Sequence, residues 1–195
     1  ETCELHYTDE LGASGYMNIS EIKIDGADIF AASCKQEHEI TMREQTETPT
    51  LNMYFSLQGQ SAAWEAQSKD RYVLNDNEHV ISFMPSFDGY YALSSPEIKS
   101  FGISLYEPFF RRLFATDMDC LKRFWDKVDA GKMAEISKHA LPVTAKQQLL
   151  INEMQQCVYS GHMKQLFFES KIIELFLLQA EQADSLDGQK PIKIE

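Results

Sequence analysis

Between residues 51 and 59 the chain reads LNMYFSLQG. Every second side chain of this run is large and apolar, and those between them are mostly polar, which is the period of a half-buried β-strand. Gly59 ends the run. Because Leu51, Met53 and Phe55 lie on the same side of such a strand, we expect that side to face a hydrophobic core.

The same two-residue period extends over residues 18–105, with turn signals every eight to twelve residues. Asp25-Gly26 has the composition of a tight hairpin turn. A series of about eight or nine short strands must hide its edges, and closure into a barrel is the usual solution. Further turns are expected at Asn75-Asp76-Asn77, Asp88-Gly89 and Ser94-Ser95-Pro96.

After Tyr106 the apolar period changes to that of α-helices, and about four helices are expected. Pro108 suits a first helical turn, and Thr116 can cap a second helix. Thr144 followed by Gln147 has the spacing of a capping box. On the first two predicted helices, the apolar residues expected to face the core are Phe110, Leu113, Phe114, Leu121, Phe124, Trp125 and Val128.

The last predicted helix, near residues 163–183, is apolar on most of its circumference. Such a helix must be covered on two sides, either within the chain or by a second copy in a two-fold dimer, and both can hold at once. We predict the domains as residues 1–105 (barrel), 106–186 (helical dimerisation region) and 187–195 (linker). The candidate dimerisation residues are Met154, Val158, Phe168, Ile172, Phe176 and Gln179.

The charge of the chain is concentrated in its strand half. Of 195 residues, 30 are acidic and 18 basic, and residues 1–105 hold 17 of the acidic but only 6 of the basic ones. A net charge of −12 repels phosphate backbones, which argues against nucleic-acid binding by this segment itself. No apolar run reaches the length of a membrane span and the cysteines are widely spaced, so a reduced, cytoplasmic, membrane-free protein is expected.

Motifs for catalysis are missing from the sequence. No two of the five histidines have the i, i+2 or i, i+4 spacing of a metal site, so no metal and no cofactor are expected. Nucleophile-elbow, phosphate-loop and dinucleotide fingerprints are also missing, and no catalytic residue is expected.

Aromatic residues are abundant in the strand half. Most suit ordinary core packing, but an apolar space with a few polar groups is also what a small-molecule site needs. Arg71 suits either a loop charge or an anion contact. The candidate ligand-binding residues are Met53, Phe55, Trp64, Arg71, Phe83 and Tyr91.

Several segments together resemble the sensory half of AraC/XylS-type transcriptional regulators, in the branch that includes siderophore-responsive members. They are MYFSLQG at 53–59, EHVISFMP at 78–85, CVYSG at 157–161 and KQLFFESKIIEL at 164–175. The resemblance covers about residues 52–182.

This resemblance implies an α+β fold, in which a cupin-like jelly-roll barrel that binds an effector is followed by a helical dimerisation unit. It also implies a C-terminal helix-turn-helix domain that contacts promoter DNA. Only four residues follow Pro191, where such a domain needs about 100, so a truncated chain is expected. A stand-alone cupin-type enzyme and a protein-interaction module remain as alternatives.

Overall fold

A computed structural model describes residues 2–8, 14–112 and 119–187 of the chain. Twelve strands lie in these segments, and the first ten cover most of the sequence up to Tyr106. The strands are β1 (Thr2–Thr8), β2 (Ser14–Ile24), β3 (Ala27–Lys35), β4 (Ile40–Thr46), β5 (Thr50–Gln58), β6 (Ser61–Glu65), β7 (Tyr72–Leu74), β8 (Glu78–Met84), β9 (Phe87–Leu93), β10 (Glu97–Tyr106), β11 (Ala134–Glu135) and β12 (Leu141–Pro142).

The strands form two antiparallel sheets. In the large sheet the order is β1-β2-β3-β10-β5-β8-β11, with β12 also paired to β8, and in the small sheet it is β4-β9-β6-β7. Strand β3 pairs with β10, β4 with β9, β5 with β8 and β6 with β7, and this nested pairing defines a jelly roll. The predicted jelly-roll class is therefore confirmed, although the two sheets are not joined by hydrogen bonds into one closed barrel.

Local sequence explains most of the turns. Gly26 has a φ of +81° in the β2–β3 hairpin, and Asn77 has a φ of 59° in the predicted turn before β8. The turn predicted at Asp88-Gly89 is wrong, because both residues lie inside β9. A Cβ atom on Gly89 would stand 2.5 Å from the Phe87 ring and 2.3 Å from the Trp64 carbonyl oxygen. Gly89 thus permits close packing within a strand rather than a chain reversal.

The described helices number four, as predicted. They are α1 (Phe109–Arg112), α2 (Asp119–Asp129), α3 (Ala145–Gln155) and α4 (Gly161–Asp187). The capping box is confirmed, because the Gln147 backbone N–H donates to Thr144 Oγ1 while the Gln147 side chain accepts from the Thr144 backbone N–H. Leu113, Phe114, Thr116 and residues 188–195 of the predicted linker lie outside the described residues.

One hydrophobic core joins the large sheet to the helices. It includes Met53 and Phe101 from strands and Phe124, Ile151 and Phe176 from helices, all of them 0–2% exposed. In the described segments, no helix is both long enough and apolar enough to cross a membrane.

Candidate functional site

One face of the large sheet packs against the helices, and we call it the helix face. Leu51, Met53, Phe55 and Ile81 on this face are completely buried against the helices. Three predicted ligand-binding residues, Met53, Phe55 and Phe83, lie here, at 0–4% exposure. The structure therefore places them in the protein core, apart from the other three predicted residues.

The opposite face of the large sheet, the inner face, looks toward the small sheet. Tyr54 and Phe30 lie on it, both as cross-strand neighbours of Gly102, with ring centroids 6.2 Å apart. A Cβ atom on Gly102 would stand 2.3 Å from the Phe30 ring, so the ring rests on the glycine backbone. Gly102 thereby allows two aromatic rings to share the centre of the inner face.

The small sheet presents a second pair of rings on its own inner face. Tyr91 and Phe87 both lie on β9, two positions either side of Gly89, and their ring centroids are 5.1 Å apart. Burial raises the pKa of the Tyr91 hydroxyl, and the neighbouring Glu44 carboxylate and Tyr54 raise it further. Tyr54 and Tyr91 lie at inward positions of their strands, so the ring pairs of the two sheets point into the same space.

Several side chains that face the space between the two sheets, which we call the inter-sheet cleft, are only partly buried. Phe30, Tyr54 and Tyr91 are all half-buried, and Met42, next to Tyr91 on β4, is 37% exposed. A cluster from both sheets closes one end of the cleft; its members are Met17, Cys34, Leu93 and Ile98. Inward-facing aromatic residues that stay partly exposed are typical of an open ligand site, whereas a close-packed core buries such residues.

Carboxylates dominate the charge of the cleft. Glu44 is exposed as a residue, yet partial burial of its carboxyl group raises its pKa. Burial also raises the pKa of Glu135, which pairs with Ser82 at an inward position of β8. The hydroxyl of Tyr72, on the inner side of β7, is buried and has no hydrogen-bond partner in the described part of the chain.

Trp64 and Arg71 lie on the outer face of the small sheet rather than in the cleft. The Arg71 guanidinium stands 4.1 Å from the centroid of the Trp64 ring, which in turn stacks on Tyr90 at 5.5 Å. Arg71 also pairs with Glu39 at 3.6 Å. Of the predicted ligand-binding residues, only Tyr91 lies in the cleft. Strict alternation along β5 and β9 divides each strand into two faces, but it does not say which face borders the cleft.

His79, Gln147, Gln179 and Gln182 form a buried polar cluster, the His79 cluster, where β8 meets α3 and α4. Gln179 Nε2 donates to His79 Nδ1 at 2.8 Å, so His79 Nε2 carries the proton and donates to Gln182 Oε1 at 3.0 Å. Gln147 Nε2 lies 3.2 Å from His79 Nε2 and donates to Gln182 Oε1 at 3.4 Å. Burial lowers the pKa of the imidazole, and the hydrogen bond with Gln182 opposes this effect. The cluster thus joins the sheet to both long helices through a neutral histidine.

Helix α4 carries a second, exposed apolar stripe. Met163, Leu166, Ile173 and Leu177 are 43–58% exposed, and their spacing of three, seven and four residues is that of coiled-coil a and d positions. We call these four residues the α4 stripe. Among the candidate dimerisation residues, Val158 is 89% exposed, whereas Met154, Phe168, Ile172, Phe176 and Gln179 are buried within the chain at 0–1% exposure.

A separate recess lies between the helix face of the large sheet and α3, with a volume of ≈ 440 Å³. Amide side chains such as Gln148, Asn152 and Gln155 line it, together with Lys99. Within residues 2–8, 14–112 and 119–187, no group of three or more His, Cys, Asp or Glu side chains could hold a metal ion.

Solved structures show which class of protein has this fold. The AraC-like transcriptional activator CuxR is 9% identical and matches 97% of this chain and 65% of its own, with a TM-score of 0.52. A variant of apo ToxT from Vibrio cholerae is 8% identical and matches 92% of this chain and 60% of its own, with a TM-score of 0.51. A cupin superfamily protein from Desulfitobacterium hafniense matches 47% of this chain at 14% identity and a TM-score of 0.37. The fold is that of AraC-like regulators.

The particular family follows from the sequence. A family model described as the regulatory protein PchR N-terminal domain matches residues 24–194, and the chain belongs to this family. The chain is thus a regulatory N-terminal domain with the fold of AraC-like transcription regulators, which confirms the family resemblance drawn from the sequence. No curated protein sequence matches the chain.

Proposed function

We propose that this domain senses a small-molecule effector in the inter-sheet cleft and dimerises through α4, and that effector binding controls promoter binding by a longer protein. One observation carries the proposal. On the helix face of the large sheet, the side chains of β5 and β8 are packed into the core, whereas Phe30 and Tyr54 on the inner face and Tyr91 on the small sheet are half-buried in the cleft. The regulatory family supports a receptor rather than an enzyme.

The His79 cluster supports the coupling of effector binding to the helices. On β8, His79 faces α3 and α4, while its neighbour Val80 faces the cleft. A shift of β8 on effector binding would therefore act on Gln179 and Gln182 of α4 directly, and on Gln147 of α3 through its hydrogen bond to Gln182. Allosteric coupling of about 1–3 kcal/mol would change DNA affinity about 5- to 150-fold.

The α4 stripe supports dimerisation. Four large apolar side chains over Met163–Leu177 are exposed along one line of the helix, at the spacing that lets two helices interdigitate. The opposite stripe of α4, which includes Phe168, Ile172 and Phe176, is already buried in the core of the chain. A dimer that uses the exposed stripe leaves this core intact.

A thermal-shift screen with matched variants tests effector binding. A small molecule at 100 times its dissociation constant should stabilise the wild-type chain by about 2.7 kcal/mol, which raises the unfolding temperature by about 5–10 °C. Tyr91→Ala should abolish most of this shift because it removes a ring from the cleft. Tyr90→Ala changes the next residue of the same strand, on the outer face, and should retain the shift.

Two results would count against the cleft as the effector site. One is a hit that stabilises the wild type and the Tyr91→Ala variant equally. The other is a hit whose effect is lost only in Tyr90→Ala.

A further inference from the structure

The charges at inward strand positions are almost all of one sign. In β2–β10 these positions hold Glu44, Glu65 and Glu78 around the cleft, and Glu21 and Asp28 toward one end. The basic residue at an inward position of these strands is Lys23, and it is paired with Glu21 at 3.6 Å and Asp28 at 3.9 Å. No ammonium or guanidinium group of these inward positions is therefore available near Tyr91.

Glu44 is the carboxylate best placed to act on a ligand. It pairs with Gly89 across β4 and β9, diagonally next to Tyr91, and it raises the pKa of the Tyr91 hydroxyl. Among the described residues, the Glu44 carboxylate has no hydrogen-bond or ion-pair partner. Glu65 is the other register partner of Gly89, so two carboxylates flank the glycine over which the Phe87 ring lies.

We propose that the cleft selects an organic cation with an aromatic or apolar body, an inference that rests on the proposed function. The faces of Tyr54, Tyr91 and Phe30 attract a cation through their ring quadrupoles, and they also bury the apolar part of such a molecule. Glu44 supplies the opposite charge, and partial desolvation strengthens its attraction. The acidic surface of the strand half adds long-range attraction for a positive ligand.

Titration calorimetry on the 195-residue chain tests this inference with ligands of matched size. The probes are phenethylamine and benzyltrimethylammonium as cations, 2-phenylethanol as a neutral compound, 3-phenylpropionate as an anion, and Ca²⁺ as an inorganic cation. Both organic cations should bind at least about tenfold more tightly than the neutral and anionic probes, which corresponds to about 1.4 kcal/mol.

Two variants test whether Glu44 causes the preference for organic cations. Glu44→Gln should weaken binding of both organic cations about tenfold and leave 2-phenylethanol unchanged, since only the charge is lost. Glu47→Gln removes one exposed charge from the loop after β4 and should bind both cations like the wild type. Circular dichroism checks that both variants are folded.

Several outcomes would overturn the inference. They are no measurable binding of either organic cation, equal binding of the anion, unchanged cation affinity in Glu44→Gln, or Ca²⁺ binding that depends on Glu44 in place of the organic cations. A neutral or anionic ligand whose binding depends on Tyr91 would refute the charge preference and leave the effector site in place. Failure of the proposed function would differ, because then no ligand would respond to Tyr91→Ala.

Discussion

His79 shows how one residue can hold two layers of the molecule together. Its ring is 1% exposed and lies 5.3 Å from the Phe55 ring, with Gln147, Gln179 and Gln182 around its nitrogens. A buried imidazole without partners would cost free energy, so the hydrogen bonds with Gln179 and Gln182 permit a polar group at this position. Gln179 Nε2 donates to His79 Nδ1 in the present orientation of its amide. Protonation of Nδ1 would place two N–H donors against each other and require the Gln179 amide to turn.

This arrangement predicts a pH dependence of stability. Because the pKa of His79 is lower in the folded protein than in the unfolded chain, the unfolded state binds the proton first as the pH falls below about 6.5. The free energy of unfolding should therefore decrease from pH 7.5 to pH 5.5, with a contribution from His79 approaching about 1.4 kcal/mol per pH unit. Urea denaturation at several pH values measures this slope.

The variant His79→Gln isolates the contribution of His79 to the pH dependence of stability, since glutamine keeps hydrogen-bonding capacity but does not titrate. This variant should have the shallower slope, whereas His162→Gln, at an exposed position of α4, should keep the wild-type slope. Equal slopes in wild type and His79→Gln would show that other groups cause the pH dependence.

At the scale of elements, α4 presents two apolar stripes with different roles. Phe168, Ile172 and Phe176 face the core, and the α4 stripe faces solvent. Ion pairs hold α4 against α3, with Lys171 contacting Glu153 and Lys146 contacting Glu174 at 3.6 Å. The stripe is therefore displayed on a helix whose position is already fixed within the chain.

Ile173→Glu places a charge in the middle of the α4 stripe and should convert a dimer to a folded monomer. Loss of one large apolar contact on each side of a two-fold interface reduces the free energy of dimer association by about 3–6 kcal/mol, which weakens association about 10²- to 10⁴-fold. Light scattering coupled to size-exclusion chromatography measures the mass, and circular dichroism checks the fold.

Two further variants control this experiment. Met133→Glu alters a residue of similar exposure outside α4 and should leave the dimer intact, whereas Phe176→Glu buries a charge and should unfold the chain. A wild-type chain that is monomeric, or an Ile173→Glu variant that remains dimeric, would refute dimerisation through the stripe.

At the scale of the whole molecule, strands and helices share one core. The helix face of the large sheet is covered by α2, α3 and α4, and the segment between α2 and α3 returns to the sheet as β11 and β12. Removal of the helices would expose completely buried side chains such as Met53, Phe55 and Ile81. The domain boundary predicted after residue 105 is therefore crossed by the main core.

The two tryptophans test whether the halves unfold together. Trp64 lies on β6 and Trp125 on α2. The variant Trp64→Phe therefore leaves one tryptophan in α2, and Trp125→Phe leaves one in the small sheet. We expect both fluorophores to report, in urea, the same midpoint as circular dichroism of that variant. A midpoint for Trp64 fluorescence well separated from the circular dichroism transition would indicate an independent strand domain.

Much of the fold was predictable because its signals are local. The alternation at Leu51–Leu57, the Asp25-Gly26 hairpin and the capping box at Thr144 each depend on residues close in sequence. The turn predicted at Asp88-Gly89 is wrong because the same dipeptide suits a turn and a strand, and the strand is fixed by pairing of Gly89 with Glu44 and Glu65 from distant segments.

The sequence by itself determined the strand and helix halves, the acidic charge of the strand half and the family resemblance. Only the tertiary structure decided which side of each strand is sealed, and so placed Tyr91 in the cleft, Met53 in the core and Trp64 on the outer surface. Likewise it decided which stripe of α4 remains exposed. Periodicity divides a strand or helix into faces, but the neighbour that covers each face comes from chain segments far away in sequence.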